Sequence, residues 1–287
     1  MRKILVTGAD GQLGTALKEA AGEGEWLFTD LAELDVRNYD AVMAYFDRHE
    51  PDFVINCAAY NDVDRAETDR EAAFRANSDA PRFLAEASSN HGSAFIHIST
   101  DYVFRGNVDQ PYTEDDIPSP VNVYGFTKMS GVRTMFETGC RGAVIRTSWL
   151  YSPWGHNFVK SILAAAEKND RISVVSDQTS RPTSATAFAA ALVKMIPVMA
   201  EWPDKPAEFY HFCDAGFASR VEFATEIIRQ AGLNCRVIPV TSAQYGSPAL
   251  RPIYSVMDIS KIGRDFGIFP RPWQEEVADC LARIRKS

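Results

Sequence analysis

Nowhere in its 287 residues does the chain approach the run of about 18 apolar residues that a membrane-spanning helix needs, so no membrane span is expected. Positive charge is also scarce. Thirty Lys and Arg stand against 38 Asp and Glu, and the formal charge of −8 argues against broad binding to nucleic acid or to an anionic membrane surface. Cysteine occurs only at positions 57, 140, 213, 235 and 280, an odd number without a C-x-x-C pair, and there is no zinc-finger spacing or basic aromatic stripe. Such cysteines read as mostly buried thiols in a reducing cytoplasm. The first residues pass straight into an apolar run suited to a core strand, which leaves no room for a signal peptide. The acids form no cluster that demands a metal, and none is expected. What remains is ordinary for a globular protein: 46% hydrophobic and 24% charged residues, in a length suited to one large domain or two smaller ones.

The first half alternates two patterns. Apolar runs at 3–7, 25–29, 53–57, 94–98 and 142–147 read as buried strands, and segments near 12–20, 38–49, 69–90 and 121–138 read as helices. This alternation predicts an α/β fold, a Rossmann-like, doubly wound parallel sheet covered on both faces. Sites in this architecture lie beyond the carboxyl ends of the strands. Gly8–Gly14, Ala58–Glu67, Ser99–Phe104 and Trp149–Asn157 should therefore meet there.

Between the first strand and the first helix stands Gly8-Ala9-Asp10-Gly11-Gln12-Leu13-Gly14. Gly8 would allow a tight turn, Gly11 a close approach to a pyrophosphate, and Gly14 close packing of helix on strand. The helix start offers N–H groups and a dipole that favour phosphate. The spacing G-x-x-G-x-x-G differs from the G-x-G-x-x-G fingerprint, yet strand, glycines and helix in succession point to a dinucleotide. Asp30, at the end of the second strand, suits the adenosine ribose, and Asp35 is a second candidate for the adenine side. No Arg or Lys immediately follows Asp30 to meet a 2′-phosphate, so the choice between NADH and NADPH leans towards NADH. Arg2, Lys3 or Arg37 could fold back to serve NADPH.

Tyr124 and Lys128, in YGFTK, are four residues apart and share a helix face. A tyrosine so placed can hand a proton to a reacting oxygen while the ammonium stabilises its phenolate. Thr100, at the end of FIHIST, can donate a hydrogen bond to the same oxygen. The Gly-, Pro- and acid-rich stretch 106–120 between them reads as an irregular loop, with Pro118 and Pro120 fixing the approach to the Tyr124 helix.

With these residues in view, the chain resembles the dTDP-4-dehydrorhamnose reductases of the extended short-chain dehydrogenase/reductase superfamily. The matching segments are VTGADGQLG (6–14), PDFVINCAAYNDVDRAE (51–67), STDYVF (99–104), YGFTK (124–128) and RTSWLYSPWGHNFV (146–159). VVSDQTSRPTSA (174–185), RPIYSVMD (251–258) and FGIFPRPW (266–273) continue the match almost end to end. The resemblance implies reduction of the C4 keto group of dTDP-4-dehydro-6-deoxy-L-mannose to dTDP-L-rhamnose, with a dTDP-linked nucleotide sugar as substrate and NADH or NADPH as cofactor.

It also implies a catalytic triad of Thr100, Tyr124 and Lys128, with Lys128 binding nicotinamide ribose and lowering the Tyr124 pKa. Gly8, Gly11, Gln12, Leu13, Gly14, Asp30, Asp35, Ala58, Ala59 and Tyr60 would surround the cofactor beside Tyr124 and Lys128. Thr100, Asp101, Tyr102, Trp149, Asn157, Arg181 and Arg251 would face the substrate. Residues 1–148 would form the dinucleotide-binding domain with the catalytic helix. Residues 149–287 would form mainly a smaller substrate-binding lobe, with some segments returning to the first domain. A homodimer in the cytoplasm is a candidate assembly.

The chain departs from the family pattern at Asn61, Ala76, Arg105, Val132 and Arg181, none of them in the triad. A nucleotide-sugar epimerase or dehydratase of the same superfamily is an alternative, although Tyr102 stands where a dehydratase commonly has the glutamate of its acid pair. A non-catalytic regulatory subunit resembling that of methionine adenosyltransferase is a further alternative.

Overall fold

The five apolar runs pair side by side. β1 (Lys3–Thr7), β2 (Glu25–Thr29), β3 (Phe53–Asn56), β4 (Ala94–Thr100), β5 (Gly142–Thr147) and β6 (Glu208–His211) form one sheet in the order β6-β5-β4-β3-β1-β2. Every pairing is parallel, with Thr7 beside Asn56 and Thr100 beside Thr147. The computed structural model describes residues 1–202 and 205–286. The chain crosses over β1 between β2 and β3, which opens a crevice beyond the carboxyl ends of β1 and β3, where ligands of open parallel sheets bind.

The longer helices are α1 (Gln12–Ala20), α2 (Tyr39–His49), α3 (Ala80–His91), α4 (Val123–Glu137), α5 (Phe158–Ala166), α6 (Ala185–Ala200), α7 (Arg220–Ala231) and α8 (Trp273–Ile284). Alternate strand residues point to opposite faces of the sheet, and both faces are covered. Ile4, Val6, Ile55, Ile96 and Ile145 meet Leu13 and Leu17 of α1 and Phe188 and Leu192 of α6. Leu5, Val54, Phe95 and Val144 meet Val42 and Phe46 of α2, Leu84 of α3 and Met135 of α4. Burial on both sides is why these strands read as continuous apolar runs. A separate core of Tyr151, Val159, Phe223, Ile227, Trp273 and Val277 joins α5, α7 and α8.

Three features depart from the expected elements. β4 runs two residues beyond 98, so Ser99 and Thr100 belong to the strand. β6 and α6, which complete the sheet and one of its faces, come from the second half of the chain. The helix expected over 69–90 is broken: short helices at Val63–Ala66 and Arg70–Phe74 lead into a π-turn at Arg75–Asp79 before α3. Among the described residues, no helix is long and apolar enough to cross a membrane.

Candidate active site

Gly8 turns the chain after β1 with φ +67°. A Cβ at Gly8 would lie 2.6 Å from the Ala58 nitrogen, and one at Gly14 would lie 2.4 Å from the Gly8 oxygen. Glycine is thus what lets the turn, α1 and the chain after β3 close together. Gly11 caps α1 without a side-chain hydrogen bond, so the first-turn N–H groups are left for an anion. This cradle fits a dinucleotide diphosphate.

Asp30 lies beside the turn, its carboxylate accepting from the backbone N–H groups of Asp10 at 3.0 Å and Leu31 at 2.8 Å. Asp35 receives the Arg37 guanidinium at 2.8 and 2.9 Å, and these bonds hold its carboxyl below the usual range. The Ala58 N–H donates to Asn56 Oδ1 at 3.1 Å, and Ala59 lines the cleft. Tyr60 turns aside: its hydroxyl donates to Asp69 at 3.2 Å and its N–H to Asn77 Oδ1 at 2.8 Å.

α4 starts where Asn122 Oδ1 accepts from the Gly125 N–H at 2.7 Å, while Asn122 Nδ2 donates to the Leu250 carbonyl at 2.7 Å. A Cβ at Gly125 would stand 2.1 Å from the Tyr102 carbonyl oxygen, so only glycine seats the helix against the end of β4. Tyr124 is half-buried at the cleft, its ring edge-to-face with Tyr102 at 5.9 Å and its hydroxyl making a long 3.5 Å bond to Asn61 Oδ1. Burial pushes this phenol above its ordinary pKa, opposed by the Thr100 hydroxyl.

Lys128 is 2% exposed and donates to the Ile98 carbonyl at 2.6 Å. Burial brings its ammonium down to about 7. The resemblance gave Lys128 the task of lowering the Tyr124 pKa. In the structure Lys128 is tied to β4, and burial governs the tyrosine.

Thr100 donates to Asp101 Oδ1 at 3.2 Å and accepts from the Tyr102 N–H at 3.1 Å. Asp101 Oδ2 accepts from Ser180 at 3.3 Å and Ser255 at 2.5 Å. Burial outweighs these bonds and raises Asp101 to about 6. The buried carboxyl thus ties Thr100 to the second half of the chain.

The far wall carries Trp149, whose φ of +45° places a bulky residue in the left-handed region. Its ring packs beside Phe223, with the Arg220 guanidinium 3.7 Å from its centroid. Asn157 lines the cleft, but its side chain is fully engaged. It accepts from the Lys160 N–H as the cap of α5 and donates to Gln12 Oε1 at 2.9 Å, to Ser152 O at 2.9 Å and to Trp154 O at 3.2 Å. Arg181 lies outside the cleft lining and donates to the carbonyls of Met257 and Gly216, both at 2.8 Å. Arg251 makes a bidentate pair with Asp64 at 3.0 and 2.8 Å, also off the lining.

One cleft of about 350 Å³ therefore gathers Gly8, Gly11, Gln12, Leu13, Gly14, Ala59, Thr100, Asp101, Tyr102, Tyr124, Lys128, Trp149 and Asn157. Asp30, Asp35, Ala58, Tyr60, Arg181 and Arg251 lie outside that lining. Val63, Ser99 and His156 line it from the segments expected to meet there, whereas Cys57, Ile98, Thr147, Ser148 and Arg220 line it from outside them. The sequence held one signal for Arg220: it opens α7 directly after the cap Ser219, where a cation opposes the helix dipole. Among the described residues, no group of three or more His, Cys, Asp or Glu is arranged to hold a metal.

Comparison with known proteins agrees with this geometry. The family model described as the RmlD substrate binding domain matches residues 1–286. The chain is 36% identical to a dTDP-4-dehydrorhamnose reductase of Aggregatibacter actinomycetemcomitans, over 98% of this chain and 99% of the relative. The crystal structure of a dTDP-4-dehydrorhamnose reductase from Clostridium acetobutylicum ATCC 824 superposes with a TM-score of 0.93 at 35% identity, covering 99% of each chain. A dTDP-4-dehydrorhamnose reductase from Bacillus anthracis str. Ames, solved in complex with NADP, gives 0.91 at 34% identity, covering 98% of this chain and 99% of that one.

Proposed function

We propose a function from the premise that this chain belongs to the RmlD substrate binding domain family and, within it, to the dTDP-4-dehydrorhamnose reductases. It is an NAD(P)H-dependent enzyme that reduces the C4 keto group of dTDP-4-dehydro-6-deoxy-L-mannose to give dTDP-L-rhamnose. The observation that carries this reading is the meeting of Thr100, Tyr124 and Lys128 with the glycine turn in one cleft.

When bound, the reduced nicotinamide supplies hydride for C4. Tyr124 donates its phenolic proton to the C4 oxygen as negative charge develops there. A phenol with a raised pKa still serves, because an alkoxide is far more basic than a phenolate. Thr100, whose one hydroxyl proton rests on Asp101, turns that proton to the same oxygen when the substrate binds. Lys128, fixed by the Ile98 carbonyl, holds the nicotinamide ribose and offers its charge to the phenolate once that forms. Gly8, Gly11, Gln12, Leu13 and Gly14 hold the cofactor diphosphate, Ala59 borders the cofactor with Ala58 and Tyr60 behind it, and Trp149 and Tyr102 form walls for the deoxysugar.

NADH is the preferred cofactor in this proposal. The Asp30 carboxylate is fixed by two backbone N–H groups where it would meet a ribose hydroxyl and repel a 2′-phosphate. Arg37, which could serve a 2′-phosphate, is folded onto Asp35. Residues 1–148 act as the dinucleotide-binding domain, and residues 149–287 mainly as the substrate lobe that lends α6 and β6 to the sheet. We locate the protein in the cytoplasm, consistent with its five free thiols. The assembly to test is a homodimer, for which Phe126 and Phe136, exposed on α4, offer apolar surface.

The deciding experiment follows reduced-nicotinamide absorbance with freshly made dTDP-4-dehydro-6-deoxy-L-mannose, using NADH and NADPH in parallel. Stoichiometric oxidation with dTDP-L-rhamnose as product is expected. A folded protein that oxidises neither cofactor would refute the assignment.

A further inference from the structure

We infer that Arg220 binds the diphosphate of the nucleotide sugar, an inference that rests on the reductase reading above. Arg220 opens α7 and lines the same cleft as Thr100 and Tyr124. Its guanidinium carbon sits 3.7 Å from the Trp149 ring centroid and 4.8 Å from that of Phe158. Aromatic faces hold a guanidinium in place while leaving its N–H edges free for paired bonds to phosphate oxygens.

The charge of Arg220 is poorly compensated from within the chain. Among the described residues, no carboxylate lies within ion-pair distance of it. The other two arginines considered for the substrate side are engaged: Arg251 by Asp64, and Arg181 by two carbonyls. Arg220 donates to the hydroxyl of Tyr102, a neutral phenol, and Asp101 acts on it only through its field, since its oxygens take the hydroxyls of Thr100, Ser180 and Ser255. Burial depresses the Arg220 pKa, the mark of a cation removed from water. Such a charge gains most from an anion that arrives with the ligand.

The substrate narrows the choice. Its base and its deoxysugar are neutral, so the diphosphate is the only group that can neutralise Arg220. The glycine turn, with its own N–H cradle, is assigned to the cofactor diphosphate. The left-handed backbone at Trp149 supports a built site, because a residue other than glycine rarely adopts it. It keeps the indole face under the guanidinium.

The test compares dTDP and thymidine as inhibitors of the parent, Arg220→Met and Arg220→Lys proteins, with Arg229→Ala on the exposed side of α7 as control. Arg220→Met should weaken dTDP about 10- to 100-fold and thymidine less than about 2-fold, raising KM for the sugar nucleotide much more than it lowers kcat. Arg220→Lys should recover part of the dTDP affinity, since it restores charge without the fork. Unchanged dTDP inhibition in folded Arg220→Met overturns the inference, and so does equal weakening of dTDP and thymidine in both Arg220 variants. If the parent ignores dTDP but binds UDP, and loses UDP on Arg220→Met, then the dTDP reading fails and the role of Arg220 stands. A parent that binds neither diphosphate overturns both.

Discussion

The Lys128 ammonium donates to the Ile98 carbonyl at 2.6 Å, so the helix that carries the proposed acid is tied to the strand that carries Thr100. This attachment buries a cation, and burial lowers its pKa from an ordinary 10.5 to about 7. Between those values the unfolded chain holds a proton that the folded chain has lost, so the contribution of Lys128 to stability rises with pH across that window. Below about 7 the folded chain carries the full cost of the buried ammonium. Lys128→Met should flatten that rise, raise the melting temperature of the cofactor-free protein near pH 7, and abolish most turnover. Thermal unfolding at pH 6, 8 and 10 checks it; a variant with the pH dependence of the parent would contradict it.

Tyr124→Phe removes only a hydroxyl with one long hydrogen bond. Folding and cofactor binding should be almost unchanged, while kcat falls by roughly 10²- to 10⁴-fold, the usual worth of a positioned acid. Nicotinamide fluorescence titration and turnover together decide it. Normal turnover would remove Tyr124 from the proton-donor role.

Gly125→Ala puts a methyl group where the Tyr102 carbonyl oxygen stands 2.1 Å away. The backbone at that contact cannot swing aside as a flexible side chain could. α4 must shift, at a cost of about 1–3 kcal/mol, and Tyr124 moves with it. Lower denaturant midpoint and lower kcat are expected together; loss of neither would mean the seat is looser than the contact indicates.

The strands and the helix of Tyr124 and Lys128 were legible because each depends on local pattern: apolar runs for strands buried on both faces, and four-residue spacing for the two residues on one helix face. β6 was not, since EFYH is four residues long and shows no period of its own. The π-turn at Arg75–Asp79 was also hidden. It keeps the apolar pattern of a helix while changing backbone partners, and it sets Asn77 to accept from the Tyr60 N–H and donate to Thr127 Oγ1. Asn157 and Arg220 show the limit at the site. Their chemistry depends on Gln12, Trp149 and Phe158, partners that only the fold brings near.

Asn157 offers a test of cap against ligand. Its amide bonds α5, Ser152, Trp154 and the Gln12 side chain beside the glycine turn. Asn157→Ala should therefore destabilise the chain by about 1–2 kcal/mol and raise KM for the cofactor more than for the sugar nucleotide. The opposite order of KM effects would restore the substrate-binding role.

On the proposed reading, cofactor choice turns on Asp30. Its two backbone donors hold the carboxylate at the end of β2, where a ribose hydroxyl can donate to it and a 2′-phosphate would be repelled. Asp30→Ala removes both effects. The ratio of kcat/KM for NADH to that for NADPH should fall by about 10-fold or more, a change of at least ~1.4 kcal/mol in relative transition-state stabilisation. The direction should be the same at any substrate concentration, because Asp30 lies away from the cleft that holds C4. Salt should narrow the preference in the parent, since repulsion of an exposed phosphate is screened. If the ratio stays fixed in Asp30→Ala, the preference resides in other residues, and Arg37 released from Asp35 becomes the group to replace next.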